Sequence, residues 1–176
     1  DPKKQLILMA PHPIYKHLDA YFFRNTIEKA NERMLKAILL CPEAQFVIKL
    51  HPGDTHDEYY ETWRQKNNLE NRVAIVKNYD SLKLAKAADF LVVYLSTYAI
   101  DGFALNKNVI CINDDLSSSL KDEYDEFREF DIFYKSYDEK ELVEAIRSLQ
   151  KNPKIQKGRW QEAGKECLNQ GGVSAT

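Results

Sequence analysis

Apolar residues fall along this chain in two alternating rhythms. Short continuous runs come at Gln5 to Ala10 (QLILMA), Gln45 to Leu50 (QFVIKL), Val73 to Val76, Phe90 to Tyr94 and Val109 to Ile112. Each has strand length and reads as a strand buried on both faces, and Phe130 to Tyr134 reads as a short sixth. Between them the spacing changes to that of helices. Asp19 to Leu40 places Phe23, Ile27, Ala30, Met34, Ala37 and Ile38 on one face, and Pro42 stops it. Asp57 to Lys66 predicts a helix, and Ser81 is read as the cap of a short helix through Ala88. Thr97 to Leu105 predicts another, followed by a turn at Asn106-Lys107-Asn108. Asp138, with Glu141 three residues on, forms a capping-box pattern opening a helix from Glu139 to Gln150, with Leu142, Ile146 and Leu149 on its apolar face. Pro153 separates a final helix over Gln156 to Leu168, and Asp114 to Glu129 is a polar, acidic loop or loose helix.

Strands alternating with helices imply an α/β fold, a Rossmann-like, doubly wound parallel sheet of six strands with helices on both faces. Ligands of such sheets sit beyond the carboxyl ends of the strands, where the strand order reverses. The 176 residues suit a single domain over 1–176. The start at Asp1-Pro2 and the end at Val173-Ser174-Ala175-Thr176 lead to the expectation of a piece excised from a longer two-domain protein.

Composition narrows the picture only a little. The chain is 44% apolar and 30% charged, as a globular domain is, and no apolar run approaches the length of a membrane span. A net charge of −2 gives no whole-chain case for nucleic acid or an anionic membrane. The three cysteines, Cys41, Cys111 and Cys167, are odd in number and widely spaced, which reads as reduced thiols in a cytoplasmic protein.

The candidate chemistry lies at strand ends. Phe90 to Tyr94 runs almost directly into Ser96-Thr97, two hydroxyl residues that suit a helix N-cap, and a helix start there points backbone N–H groups and a positive dipole end at an anion such as phosphate. The loops after the first and second strands carry His12, and His51 with Pro52 and Gly53. If the first and fourth strands are neighbours, these loops and Ser96-Thr97 meet in one crevice. His51 is the foremost candidate: Pro52 fixes the backbone after it, and its imidazole can donate a hydrogen bond to a phosphate oxygen, better when protonated. His17 and His56 read as solvated positions. An ordinary loop histidine and an ordinary helix cap remain alternatives at both places. There is no Gly-x-Gly-x-x-Gly, no Walker lysine motif, no Gly-x-Ser-x-Gly and no zinc-ligand spacing, so a P-loop, dinucleotide or metal role has little support.

Taken together, Leu50-His51-Pro52, Ala88-Asp89 with its apolar run to Ser96-Thr97, and Asp101-Gly102-Phe103-Ala104-Leu105-Asn106-Lys107 resemble the carboxyl-terminal, donor-binding half of GT-B glycosyltransferases. The pattern is similar to that of CDP-glycerol glycerophosphotransferases, and to the His-Pro and Ser-Ser/Thr motifs of bacterial sialyltransferases and capsule Kdo transferases. The resemblance covers Leu6 to Ile112, with Gly171-Gly172 matching the segment after the last helix. It departs at Tyr94, where the glycerophosphotransferases have an acidic residue, and at His12-Pro13, where they often carry arginine.

The resemblance implies that His51 acts in catalysis by contacting the donor phosphates, that Ser96 and Thr97 hold the same phosphates, and that Asp101 lies near the ribose. His12, Pro52 and Gly53 complete the expected substrate-binding set. It further implies a CMP-, CDP- or UDP-linked donor as substrate, group transfer with no cofactor and no metal, and an acceptor base supplied by an amino-terminal domain missing from this chain. The fragment alone would then be inactive. It allows peripheral membrane association through the missing part and gives no role to nucleic acid. Each donor contact would lower the barrier by roughly 2–4 kcal/mol, as oxyanion donors do. Two further readings stay open. One is a UDP-N-acetylglucosamine 2-epimerase-like enzyme, although Tyr94 to Tyr98 lacks that family's Asp-Ser-Gly-Gly. The other is a non-catalytic nucleotide-binding or docking module, with the acidic segment as a partner surface.

Overall fold

The apolar runs lie side by side as parallel strands, in a computed structural model that describes residues 4–14, 21–94, 96–112, 134–136 and 138–153. These are β1 (Leu6–Ala10), β2 (Gln45–Lys49), β3 (Val73–Val76), β4 (Phe90–Tyr94) and β5 (Asn108–Ile112). The three-residue β6 (Tyr134–Ser136) continues the sheet at its edge. The order is β3-β2-β1-β4-β5-β6, with all neighbours parallel. The chain therefore reverses direction across the sheet between β1 and β4, which pair from Ile7 with Phe90 to Ala10 with Val93. At the amino ends the Leu6 N–H donates to Asp89 Oδ2 (2.7 Å) and the Asp89 N–H to the Leu6 carbonyl (2.8 Å), fixing that register.

Helices cover both faces, as a doubly wound sheet requires. On one side α1 (Tyr21–Leu40), α2 (Asp57–Lys66) and α5 (Glu139–Lys151) pack Ile27, Met34, Ile38, Tyr60, Leu142 and Ile146 against Phe46, Ile48, Phe90 and Val92. On the other, α3 (Ser81–Ala87) and α4 (Tyr98–Ala104) set Ala85, Tyr98 and Ala99 on Leu8, Leu91, Val93 and Val109. Burying one such large side chain contributes about 1.5–3 kcal/mol, and a one-residue slip of any strand would exchange its two apolar faces. The continuous apolar runs thus specify the strands, and the distinct side-chain packing on each face holds their register. No described helix is long and apolar enough to cross a membrane.

Some boundaries depart from expectation for local reasons. Asp80, not Ser81, caps α3: its carboxylate accepts from the Lys83 N–H at 3.1 Å, and Ser81 is the first helical residue. At α4, Thr97 takes the cap position in a helical conformation without a side-chain bond, and the Ser96 hydroxyl accepts from the Tyr98 N–H at 3.2 Å. The α5 cap is as expected, with Asp138 Oδ1 accepting from the Glu141 N–H at 2.8 Å. Of the expected α1 face, Ile27, Ala30, Met34, Ala37 and Ile38 are buried. The Phe23 side chain, Asp19, residues 114–129, residues 130–133 and the final helix over 156–168 lie outside the described residues. Cys41 is a buried free thiol, pushed up to about 11 by burial, and Cys111 is half-buried; Cys167 lies outside the described residues.

Gly102 lets α4 approach β4 and β5 closely. A Cβ there would lie 2.7 Å from Val109 Cγ2 and 3.2 Å from Leu91 Cδ2. Gly102→Ala is therefore expected to destabilise the fold by about 1–3 kcal/mol in denaturant unfolding. Asp138→Ala, which removes only a cap, should cost about 1 kcal/mol. An unchanged midpoint for Gly102→Ala would contradict the close packing.

Candidate functional site

The pairing of β1 with β4 sets the loops after β1, β2 and β4 around a cavity of about 360 Å³ at the carboxyl edge of the sheet. His12, His51, Pro52, Ser96, Thr97 and Asp101 all line it. Six of the seven residues singled out in the sequence thus meet in one place. The seventh, Gly53, is not in the wall; its N–H donates to His51 Nδ1 at 3.0 Å.

Each loop is held by identifiable bonds. After β1, the Asn31 side chain of α1 brackets His12: the His12 N–H donates to Asn31 Oδ1 (3.2 Å), and Asn31 Nδ2 donates to the His12 carbonyl (3.0 Å). Asn31 is buried, so both bonds are shielded from competing water. After β2, the Asp54 N–H closes a turn on the His51 carbonyl (2.9 Å) and the Thr55 hydroxyl donates to the Ile14 carbonyl (3.2 Å), joining this loop to the first. Lys77, just past β3, donates to the Asp54 carbonyl (2.7 Å) and to both Asp57 carboxylate oxygens (2.8 and 2.9 Å). His56 is not the solvated residue its polar surroundings suggest. It is half-buried at the α2 cap, and its backbone N–H donates to the buried Asp54 carboxylate at 2.8 Å. His17 lies outside the described residues.

The two cavity histidines are held as opposite tautomers. Nδ1 of His51 accepts from Gly53, which leaves Nε2 as the N–H donor of the neutral ring. Nδ1 of His12 lies 3.0 Å from the Pro13 carbonyl, an acceptor only, so Nδ1 carries the proton and Nε2 is a lone-pair acceptor. The His12 ring also meets the buried Tyr94 ring edge-on, with centroids 6.2 Å apart. Burial lowers the His12 pKa below the usual histidine value, the Pro13 bond opposes that shift, and nearby His51 adds to it.

The start of α4 is less open than a bare helix end. Its Tyr98, Ala99 and Ile100 N–H groups are taken by the Ser96 hydroxyl and by the carbonyls of Ser96 and Thr97. The Thr97 N–H and hydroxyl have no partner among the described residues, and Thr97 is exposed at the cavity. Asp101 stands one turn further along the helix. Tyr98 donates its hydroxyl to the Ser81 carbonyl; burial, reinforced by Asp101, pushes it up to about 12, so it stays a donor.

Lys49 and Ser81 complete the wall on the α3 side and were not singled out in the sequence. Lys49 sits inside an apolar run, where one polar residue reads as the solvent phase of an alternating strand. Ser81 reads as a cap one residue late. Neither placement carries a local signal.

No family model matches the sequence, and comparison with curated proteins finds no match. Solved structures do resemble the fold. The C-terminal CMP-Kdo binding domain of WaaA from Acinetobacter baumannii superposes with a TM-score of 0.60 at 10% identity, over 92% of this chain and 88% of that one. The catalytic domain of cholesterol-α-glucosyltransferase from Helicobacter pylori gives 0.59 at 16% identity, over 93% and 98%. The S. aureus MnaA-UDP co-structure gives 0.58 at 18% identity, over 89% of this chain but only 40% of that one. The fold is thus of the GT-B carboxyl-terminal type, shared with glycosyltransferase domains and with UDP-N-acetylglucosamine 2-epimerase.

The lowered His12 pKa has a consequence for stability. As pH falls below about 6.5, the unfolded chain takes up this proton before the folded one does, so stability drops through that window. In His12→Gln that component is absent. The difference in unfolding free energy between wild type and variant should be constant above pH 7 and shrink as pH falls below 6.5. A difference that does not vary with pH would contradict the shielded, neutral His12.

Proposed function

We propose that this chain is the donor-nucleotide-binding domain of a bacterial-type glycosyltransferase or glycerophosphotransferase that builds a cell-surface polysaccharide from a cytidine-activated donor. The observation that carries the reading is the convergence of His51, Thr97 and Asp101 on one cavity at the point where strand order reverses. A phosphate there would accept from the His51 Nε2–H and from the Thr97 N–H and hydroxyl. Asp101, an acceptor, suits a ribose hydroxyl. The likeness in fold to a domain that binds CMP-Kdo supports the same choice of ligand.

In this mechanism the bond between the transferred group and the nucleotide phosphate breaks, and its electron pair stays on the phosphate oxygen. The acceptor hydroxyl oxygen forms the new bond and gives its proton to a base outside this chain. His51 and Thr97 act by donating to the phosphate as its negative charge grows, an effect stronger in a partly enclosed site than in water. An epimerase-like reading is supported by the resemblance to the MnaA-UDP co-structure and calls for a uridine nucleotide instead.

Calorimetric titration with CMP, CDP and UDP separates the readings. CMP or CDP is expected to bind, and His51→Ala to weaken binding about tenfold or more, the value of a hydrogen bond to a charged group. Binding of UDP alone would favour the epimerase-like enzyme. Binding of no nucleotide would overturn both and leave a docking module.

A further inference from the structure

Lys49 is a buried cation without a counter-charge. The residue is 7% exposed, lies in the last position of β2 and reaches the cavity wall. Its ammonium donates to the Leu50 carbonyl at 2.8 Å and the Lys77 carbonyl at 2.7 Å. Among the described residues these are its only partners, and neither is charged. An ammonium has three N–H donors, so one is left over. Burying a charge against neutral dipoles alone is costly, and a strand between apolar layers would be better served by valine or isoleucine.

Two other lysines show what ordinary roles look like in this fold. Lys77 faces the Asp57 carboxylate and fills its third donor with the Asp54 carbonyl. Lys107 also bonds two carbonyls, those of Lys86 and Ala88, but it is half-exposed and sits at the carboxyl end of α3, where a cation is favourable and its side chain is open to solvent. Lys49 has neither a carboxylate nor comparable solvent. What it has is the cavity, shared with His51 two residues later in the chain.

We propose that the Lys49 ammonium is the fixed positive charge of this cavity and gives its third N–H to a phosphate oxygen of the bound nucleotide. The proposal rests on the nucleotide-binding reading above and deepens it. His51 and Thr97 supply neutral donors to the phosphate; Lys49 supplies the charge that pays for bringing an anion out of water. Selectivity for phosphorylated ligands over nucleosides then falls mainly on Lys49.

The test compares CDP, CMP, cytidine and inorganic pyrophosphate on wild type and on Lys49→Gln, which keeps donors for both carbonyls and removes the charge. CDP, CMP and pyrophosphate should each bind about tenfold or more weakly to the variant, with cytidine unchanged. A merely structural lysine would leave all four affinities alone or weaken cytidine in the same proportion, and either result overturns the proposal. If wild type binds pyrophosphate but no nucleotide, the functional reading falls, while loss of pyrophosphate in the variant still upholds Lys49. If wild type binds none of the four, both fall. Should Lys49→Gln fail to fold by circular dichroism, Lys49→Met, which restores an apolar strand position, carries the same comparison.

Discussion

The hydrogen-bonded pairing of β1 with β4 is the constraint on which the site depends. Strands formed far apart in sequence are laid in parallel at the centre of the sheet, so their carboxyl ends open side by side. The loop carrying His12 and the segment carrying Ser96 and Thr97 are thereby brought to one cavity, and β2, on the other side of β1, adds His51. The bonds from the Leu6 N–H to the Asp89 carboxylate and from the Asp89 N–H to the Leu6 carbonyl, at the opposite end of the pair, hold the register that makes this alignment reproducible. A shift of one residue would exchange the two apolar faces of β4 and move the α4 cap with it.

Around that frame the site is assembled from rigid parts. A buried asparagine holds the His12 backbone at both its N–H and its carbonyl, and a lysine just past β3 ties down the loop after β2. Gly53 and Pro13 hold the two imidazoles in complementary states, one offering a proton and the other a lone pair. The cavity therefore presents donors, a cation and acceptors in fixed positions before any ligand arrives. Such preorganisation is what lets hydrogen bonds act on developing charge without first being rearranged.

Much of this was legible in the residue pattern because the fold is encoded in long, unambiguous signals. Five continuous apolar runs and the spacing of α1 and α5 left little room for another architecture, and the strand order then dictated which loops meet. What the pattern left open has physical reasons. Asp80 and Ser81 are both good caps, and only the geometry shows the carboxylate reaching the Lys83 N–H. Thr97 looks like the cap of α4, but the Ser96 hydroxyl reaches Tyr98 first. Lys49 was hidden because its partners are carbonyls of Leu50 and Lys77, and a contact across strands leaves no trace in local periodicity. Asn31, polar on the buried face of α1, is a mismatch in pattern whose purpose appears only once His12 lies against it.

The most direct measurement is a crystal structure of the chain with cytidine 5′-diphosphate bound. Phosphate oxygens within hydrogen-bonding distance of His51 Nε2 and the Thr97 N–H, at the edge where β1 and β4 end, are the expected result. Phosphates seated elsewhere on the molecule, out of hydrogen-bonding reach of both of those donors, would contradict it.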